Sequence, residues 1–212
     1  MQGIVLGRLG HKVSILERSA SIEFISQGAG ISAQEHVQEF LSRYDRSTQP
    51  LCLDCPKVQF LDKHGKVIKT WDMPLKMTSW GSLYHRLRAN FDGLKSNYCQ
   101  LDDPVVSSAP EGNSQYKFGH TVTGIQDRKG KVAVYAQDSS GLEHEIFADL
   151  VIAADGPSSS IRQILNPAVH RTYTGYVAWR GMVPETEISE SDRELFAQRC
   201  TYFRKGYGHI LV

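Results

Sequence analysis

The chain has 212 residues, a formal charge of +1 and a mean hydropathy of −0.33, with 41% hydrophobic and 22% charged residues. That length suffices for a substantial core in one domain or one and a half, and the composition is that of an ordinary globular protein. The near-neutral charge, with no stretch dense in Lys and Arg, excludes a nucleic-acid surface. No apolar run approaches the ~20 residues of a membrane span and the N-terminus has no signal-peptide core, so a soluble, cytoplasmic protein is expected.

Ile4, Val5, Leu6 and Leu9 form a helical stripe stopped by Gly10-His11, and Val13, Ile15 and Leu16 a short strand closing on Glu17-Arg18. Helix, glycine turn and a strand ending on an acid is the second half of a dinucleotide-binding βαβ unit, in which the acid takes a ribose hydroxyl. The opening strand and its glycine fingerprint would precede Met1, so the sequence reads as starting inside the helix. Gln27-Gly-Ala-Gly-Ile31 reads as a loop entering a helix from about Ala33 to Arg43, with Val37, Phe40 and Leu41 on its apolar face.

Cys52, Cys55, Cys99 and Cys200 are too scattered for a disulfide framework. Cys52-x-x-Cys55 has no second ligand pair, so reduced thiols and no metal are expected. Lys57 to Trp71 reads as a β-hairpin turning at Asp62 to Gly65. Met77 to Phe91 follows as an amphipathic helix capped by Ser79 or Ser82, with Leu83, Leu87 and Phe91 on one face and Arg86 and Arg88 at the surface. Residues 102 to 116 form a polar loop. Thr121–Ile125 and Val132–Tyr135 read as strands of a meander turning at Arg128-Lys-Gly130, and Glu145–Ala148 leads onward.

The stretch from Asp149 to Arg162 carries the most chemistry. Leu150–Ala154 has the pattern of a strand buried on both faces of a parallel sheet; it breaks at Asp155-Gly156, after which Ser158, Ser159 and Ser160 offer helix caps. An acid and a glycine at the carboxyl end of such a strand lie on the edge where α/β sheets bind ligands. The dipeptide alone is an ordinary turn. The whole string, Asp149-Leu-Val-Ile-Ala-Ala-Asp-Gly with Ser160 and Arg162, resembles the second nucleotide-contacting motif of the FAD-dependent aromatic-ring monooxygenases. Gly3 to Arg18 resembles the same family, in particular members similar to 2,6-dihydroxypyridine 3-monooxygenase. Tyr173 to Pro184, apolar and β-prone, resembles the strand that opens the substrate sheet of that group. Ser189–Gln198 is a short helical pattern and Gly208–Val212 a strand.

The resemblance implies an α/β fold. Residues 1–50 and 78–170 would form an incomplete Rossmann-like FAD-binding domain with an antiparallel β-meander, and residues 51–77 and 171–212 part of a substrate-binding β-sheet domain. It implies FAD as cofactor, NAD(P)H as electron donor and an aromatic or heteroaromatic small molecule as substrate. Glu17, Arg18, Gly30, Asp155 and Gly156 would contact the cofactor. Trp80 stands where many relatives carry an arginine for the FAD pyrophosphate, so that contact does not transfer. The third family motif, a Gly-Asp near the flavin ring, is absent, and no catalytic base is named. Flavin oxygenation leaves the hard chemistry to the cofactor, which accords with the absence of any nucleophile or metal cluster. Without the fingerprint, weakened FAD affinity and self-association through an exposed sheet edge are expected. Two other classes fit parts of the sequence: an inactive remnant serving as an interaction protein, and an NAD-dependent dehydrogenase using Glu17. The Asp-Gly stretch and the meander argue against the latter.

Overall fold

A computed structural model describes residues 1–22, 30–99, 101, 113–175, 177, 181, 183–205 and 208–211, with side chains up to residue 203. In chain order the elements are α1 (Gln2–Arg8), β1 (Val13–Leu16), β2 (Gly30–Ser32), α2 (Glu35–Tyr44), β3 (Leu53–Leu61), β4 (Val67–Ser79), α3 (Trp80–Asp92) and β5 (Ser114–Lys117). There follow β6 (Thr121–Arg128), β7 (Lys131–Gln137), β8 (Glu143–Ala148), α4 (Ser160–Leu165), α5 (Glu190–Phe196), β9 (Arg199–Lys205) and β10 (Gly208–Leu211). They fall into two compact units: Met1–Val5, Gln27–Ser108 and Trp179–Val212 in the first, Leu6–Ser26 and Ala109–Ala178 in the second.

The first unit is organised by the hairpin read at residues 57–71, which is longer than its apolar pattern suggested. Asp62 closes its turn by accepting the backbone N–H groups of His64 at 2.8 Å and Lys66 at 3.0 Å, while Gly65 supplies a φ of +81°. Pro56 lies in the register shift between Cys55 and Lys57, where its missing N–H costs no ladder bond. The sheet runs β10-β9-β3-β4-β2, with β9 parallel to β3 and the other pairs antiparallel. Cys55, Val58 and Cys200 form the core on one face, flanked by Phe60, Leu75 and Met77. On the other, buried Gln59 donates to the Leu195 carbonyl at 2.6 Å and to the Thr201 hydroxyl at 2.9 Å, which ties α5 to the sheet. All four cysteines are free thiols, and no metal-binding cluster occurs among the described residues.

Helix α3 starts where the serine signal placed it: the Ser79 hydroxyl accepts the Ser82 N–H at 3.0 Å, and left-handed Gly93 ends the helix. The reading of Arg86 and Arg88 as surface charges is overturned. Arg86 is 2% exposed, donating to Asp45 at 2.8 Å and to the Gln49 carbonyl at 2.9 Å. Arg88 is buried beside Asp92 at 2.8 Å. Arg86 goes inside because an acid and a carbonyl from another segment meet it, which sequence spacing does not show, whereas Arg88 is held within its own helix by Asp92 and Tyr84, each four residues away.

In the second unit β1 pairs in parallel with β5, a strand inside what reads as a polar loop; residues 102–112 of that loop lie outside the described residues. Gly7 of α1 permits close packing here, since a Cβ would sit 2.8 Å from the Ser114 hydroxyl. The meander is present as β6-β7-β8, turned by Lys129 and Gly130 at positive φ, with α4 against β6. The expectation for Leu150–Ala154 is corrected: the run forms no ladder among the described residues, and Leu150 is 67% and Ile152 50% exposed. A parallel strand is stable only with neighbours, and among the described residues β1 and β5 pair just with each other. Of the stretch from Tyr173 to Pro184, Tyr176, Ala178, Trp179, Arg180 and Met182 lie outside the described residues; the rest form no strand, and Tyr173, Val177 and Val183 are exposed.

Candidate functional site

The Asp-Gly turn is built by side chains of its own neighbourhood. Gly156 has a φ of +75°, and nothing lies within 4 Å of where a Cβ would stand. The turn therefore uses the glycine for its backbone angle and leaves open space beside it. Ser159, 5% exposed, caps α4 by accepting the Arg162 N–H at 2.9 Å. Asp155 accepts the Ile161 N–H at 3.4 Å, so its charge sits at the start of α4, where helix polarity favours an anion. Some loss of hydration at this exposed residue opposes ionisation, yet hydrogen bonds from the Ser159 hydroxyl and the Ile161 backbone outweigh it and hold the Asp155 carboxyl below its usual range.

Two arginines brace the same turn. Arg162, part of the sequence motif, donates to the Pro157 carbonyl at 2.5 Å, and Arg171 donates to the Ser158 hydroxyl at 3.0 Å. Arg171 escaped the sequence reading because it lies in a segment with no periodic pattern; its basic charge within ten residues of the motif was the one available signal.

Glu17 leaves β1 half-buried and fully engaged by its backbone. Its N–H donates to the Lys117 carbonyl at 2.9 Å and its carbonyl accepts the His120 N–H at 2.9 Å. One carboxylate oxygen accepts the Ser19 N–H at 2.8 Å, fixing the side chain over its own turn. Arg18 is exposed. The structure thus places Glu17, Arg18, Asp155 and Gly156 in the second unit. Gly30 belongs to the first unit, where it opens edge strand β2 opposite Ser79, is exposed, and has nothing within 4 Å of a Cβ position. It is a strand residue, not the loop residue expected, because Gly30–Ser32 continues the sheet beyond β4.

An acid that closes β1, a second acid in a glycine turn with free space beside it, and a capped helix start are polar groups of the kind that bind ribose and phosphate, with no nucleophile–base pair among them.

Comparison with known proteins gives concordant findings. A family model described as FAD binding domain-like matches residues 173–212. A FAD-dependent monooxygenase of Sarocladium schorii is 29% identical over 167 residues, covering 77% of this chain and 36% of its own. The 2,6-dihydroxypyridine 3-monooxygenase of Paenarthrobacter nicotinovorans is 24% identical over 214 residues, covering 99% of this chain and 46% of its own. The solved structure of 2,6-dihydroxypyridine-3-hydroxylase from Arthrobacter nicotinovorans superposes with a TM-score of 0.71 at 22% identity, over 99% of this chain and 47% of that one, which shows a shared fold. The chain spans less than half the length of these relatives. Across nearly all of its own length it is similar to the FAD-dependent aromatic monooxygenases, the family whose motifs its sequence resembles.

Proposed function

We propose that this chain is part of a FAD-dependent monooxygenase that hydroxylates an aromatic or heteroaromatic small molecule with NAD(P)H and O2. The observation that carries the reading is the Asp155-Gly156 turn, capped by Ser159 and set in the same compact unit as the acid that closes β1. When bound, FAD would be reduced by NAD(P)H and would activate oxygen. The protein's own groups bind and orient. Glu17 would accept hydroxyl hydrogens of the adenosine ribose, with Arg18 beside it. Asp155 and the open backbone at Gly156 would receive the nucleotide's polar chain. Gly30 would offer a backbone contact free of any side chain. The division into a nucleotide-binding part, residues 1–50 and 78–170, and a substrate part, residues 51–77 and 171–212, belongs to the same proposal, as does a cytoplasmic location. No helix among the described residues is long and apolar enough to cross a membrane.

The test is binding. Purified protein titrated with FAD should show quenched flavin fluorescence and a melting temperature that rises with FAD concentration. A protein whose melting is unmoved by FAD at the highest soluble concentration would overturn the reading for this chain.

A further inference from the structure

Helix α3 carries a run of aromatic rings that the flavin reading leaves unused. Trp80 and Tyr84, one turn apart, stack with centroids 4.9 Å apart and planes 10° from parallel. Tyr84 meets His85 edge-on at 5.3 Å, and His85 lies flat on Tyr98 at 4.7 Å with 6° between the planes. Tyr98, beyond the helix end, is 59% exposed. Its ring reaches back to the first turn of α3, 3.7 Å from where a Cβ on Gly81 would stand. The rings thus form one unbroken series of contacts, two stacked and one edge-on, from half-buried Trp80 at the helix start to exposed Tyr98.

The surroundings give the stack a direction. Arg88 donates to the Tyr84 hydroxyl at 2.7 Å and is itself held by Asp92. A fixed cation on that phenol disfavours a positive hole resting on Tyr84. The His85 Nδ1 is buried with no hydrogen-bond partner, and burial together with the Arg88 charge depresses its protonation, so a neutral ring bridges the two tyrosines. Tyr98 is the most exposed ring of the four, the others being half-buried, and there a phenol can release its proton to water as it is oxidised.

Indole and phenol are the side chains other than thiols that give up one electron most readily, and contact between π systems carries electrons efficiently. We infer that Trp80, Tyr84, His85 and Tyr98 form a conduit that moves a one-electron oxidising equivalent from Trp80 to the protein surface. An oxygen-derived radical takes one electron from the Trp80 indole. An electron from Tyr98, relayed across His85 and Tyr84, restores the indole, and the Tyr98 phenolic proton passes to water. The radical is reduced by one electron, Tyr98 becomes a phenoxyl radical, and no bond between heavy atoms forms or breaks. A soluble thiol or ascorbate then returns a hydrogen atom to Tyr98. The inference rests on the geometry of α3 alone and holds or fails independently of flavin binding.

Azide radicals from pulse radiolysis oxidise tryptophan in preference to tyrosine and provide the test. In protein carrying Trp71→Phe and Trp179→Phe, Trp80 is the sole indole. The indole radical signal should decay as the phenoxyl signal grows, at a rate independent of protein concentration. Tyr84→Phe should slow that transfer severalfold. Tyr98→Phe, a change at an exposed ring, should abolish the surface phenoxyl product. If the tryptophan replacements impair folding, peptide mapping of the unmodified protein after the same oxidation reads the same point: lesions collect at Tyr98, and shift to Trp80 in Tyr84→Phe. Transfer that scales with protein concentration, or a rate and lesion map indifferent to Tyr84→Phe, overturns the inference.

Discussion

The backbone carbonyl of Glu17 accepts the N–H of His120 at 2.9 Å, and the neighbouring Gly119 N–H reaches the Ser19 carbonyl at 2.8 Å. The acid that ends β1 is therefore fixed by the turn joining β5 to β6. From that turn β6 runs to Val122, whose carbonyl receives the Ser160 hydroxyl at 3.5 Å, one residue beyond the cap of the Asp-Gly helix. A bonded path thus joins the two acid-bearing turns of the second unit, although 138 residues, the difference between positions 155 and 17, separate them in sequence.

This path separates binding from stability at Glu17. Glu17→Gln keeps an oxygen for the Ser19 N–H and leaves both backbone bonds intact, so stability should move by no more than about 0.5 kcal/mol. The carboxylate that would receive ribose hydroxyls is lost, and FAD affinity should fall by about tenfold, the worth of one charge-assisted hydrogen bond. Fluorescence titration alongside thermal melting tests this. A destabilised variant with unchanged FAD affinity would make Glu17 a structural acid instead.

The cap of α4 gives a stability prediction. Ser159→Ala removes the acceptor for the Arg162 N–H and one of the hydrogen bonds on Asp155, and should cost about 1 kcal/mol in urea unfolding. The Asp155 carboxyl is held below its usual range, so its contribution to stability is present above the unfolded-state pKa of about 3.9 and is lost as pH falls through the lower folded-state value. Asp155→Asn should therefore lower stability near neutrality and flatten that acid limb. An acid limb as steep in the variant as in the parent would contradict the assignment.

How far the sequence discloses this structure depends on where each signal resides. The caps at Ser79 and Ser159, each among the serines the sequence offered, were legible because capping is local: a hydroxyl meets an N–H three residues on. The hairpin and meander were legible from alternation and turn residues. Strand β5 was not, since four residues, Ser114 to Lys117, with one aromatic carry no pattern of their own and are strand because β1 pairs with them. Leu150–Ala154 failed the other way: its apolarity is that of a buried strand, but a ladder needs a neighbour as well as a composition. Among the candidate site residues, the Asp-Gly turn could be read with its cap, whereas the bracing by Arg171 depends on a fold-back that no local pattern encodes.

Burial of Arg86 carries a larger energetic consequence. With its guanidinium 2% exposed and bonded to Asp45 and Gln49, truncation strands the Asp45 carboxylate, which Asn90 and the Ser47 N–H also approach. Arg86→Ala should destabilise by roughly 3–5 kcal/mol, enough to abolish folding in a marginal domain. Asp45→Asn should cost less, because a neutral amide still accepts one of these bonds. Pairing Arg86→Ala with Asp45→Asn should recover part of the loss, since the buried charge is then gone from both sides. Chemical denaturation of the three variants reads the cycle, and strict additivity would show that the pair is not coupled.

Leu150 and Ile152 supply the last test. Both are large, apolar and exposed; among the described residues their segment has no ladder partner, and strands β1 and β5 pair just with each other. Unpaired backbone with apolar side chains is a template for strand addition, so the isolated chain should self-associate as its concentration rises. Leu150→Lys together with Ile152→Lys would place charges at both positions while removing no buried contact. Stability should stay within about 0.5 kcal/mol of the parent. The weight-average mass by light scattering should fall toward that of a single chain. A parent that remains monomeric at every concentration would show that this segment does not act as an open edge. A parent that associates equally well with both lysines in place would move the association to another surface, the exposed Ile68 and Trp71 of the first unit's hairpin being the next to change.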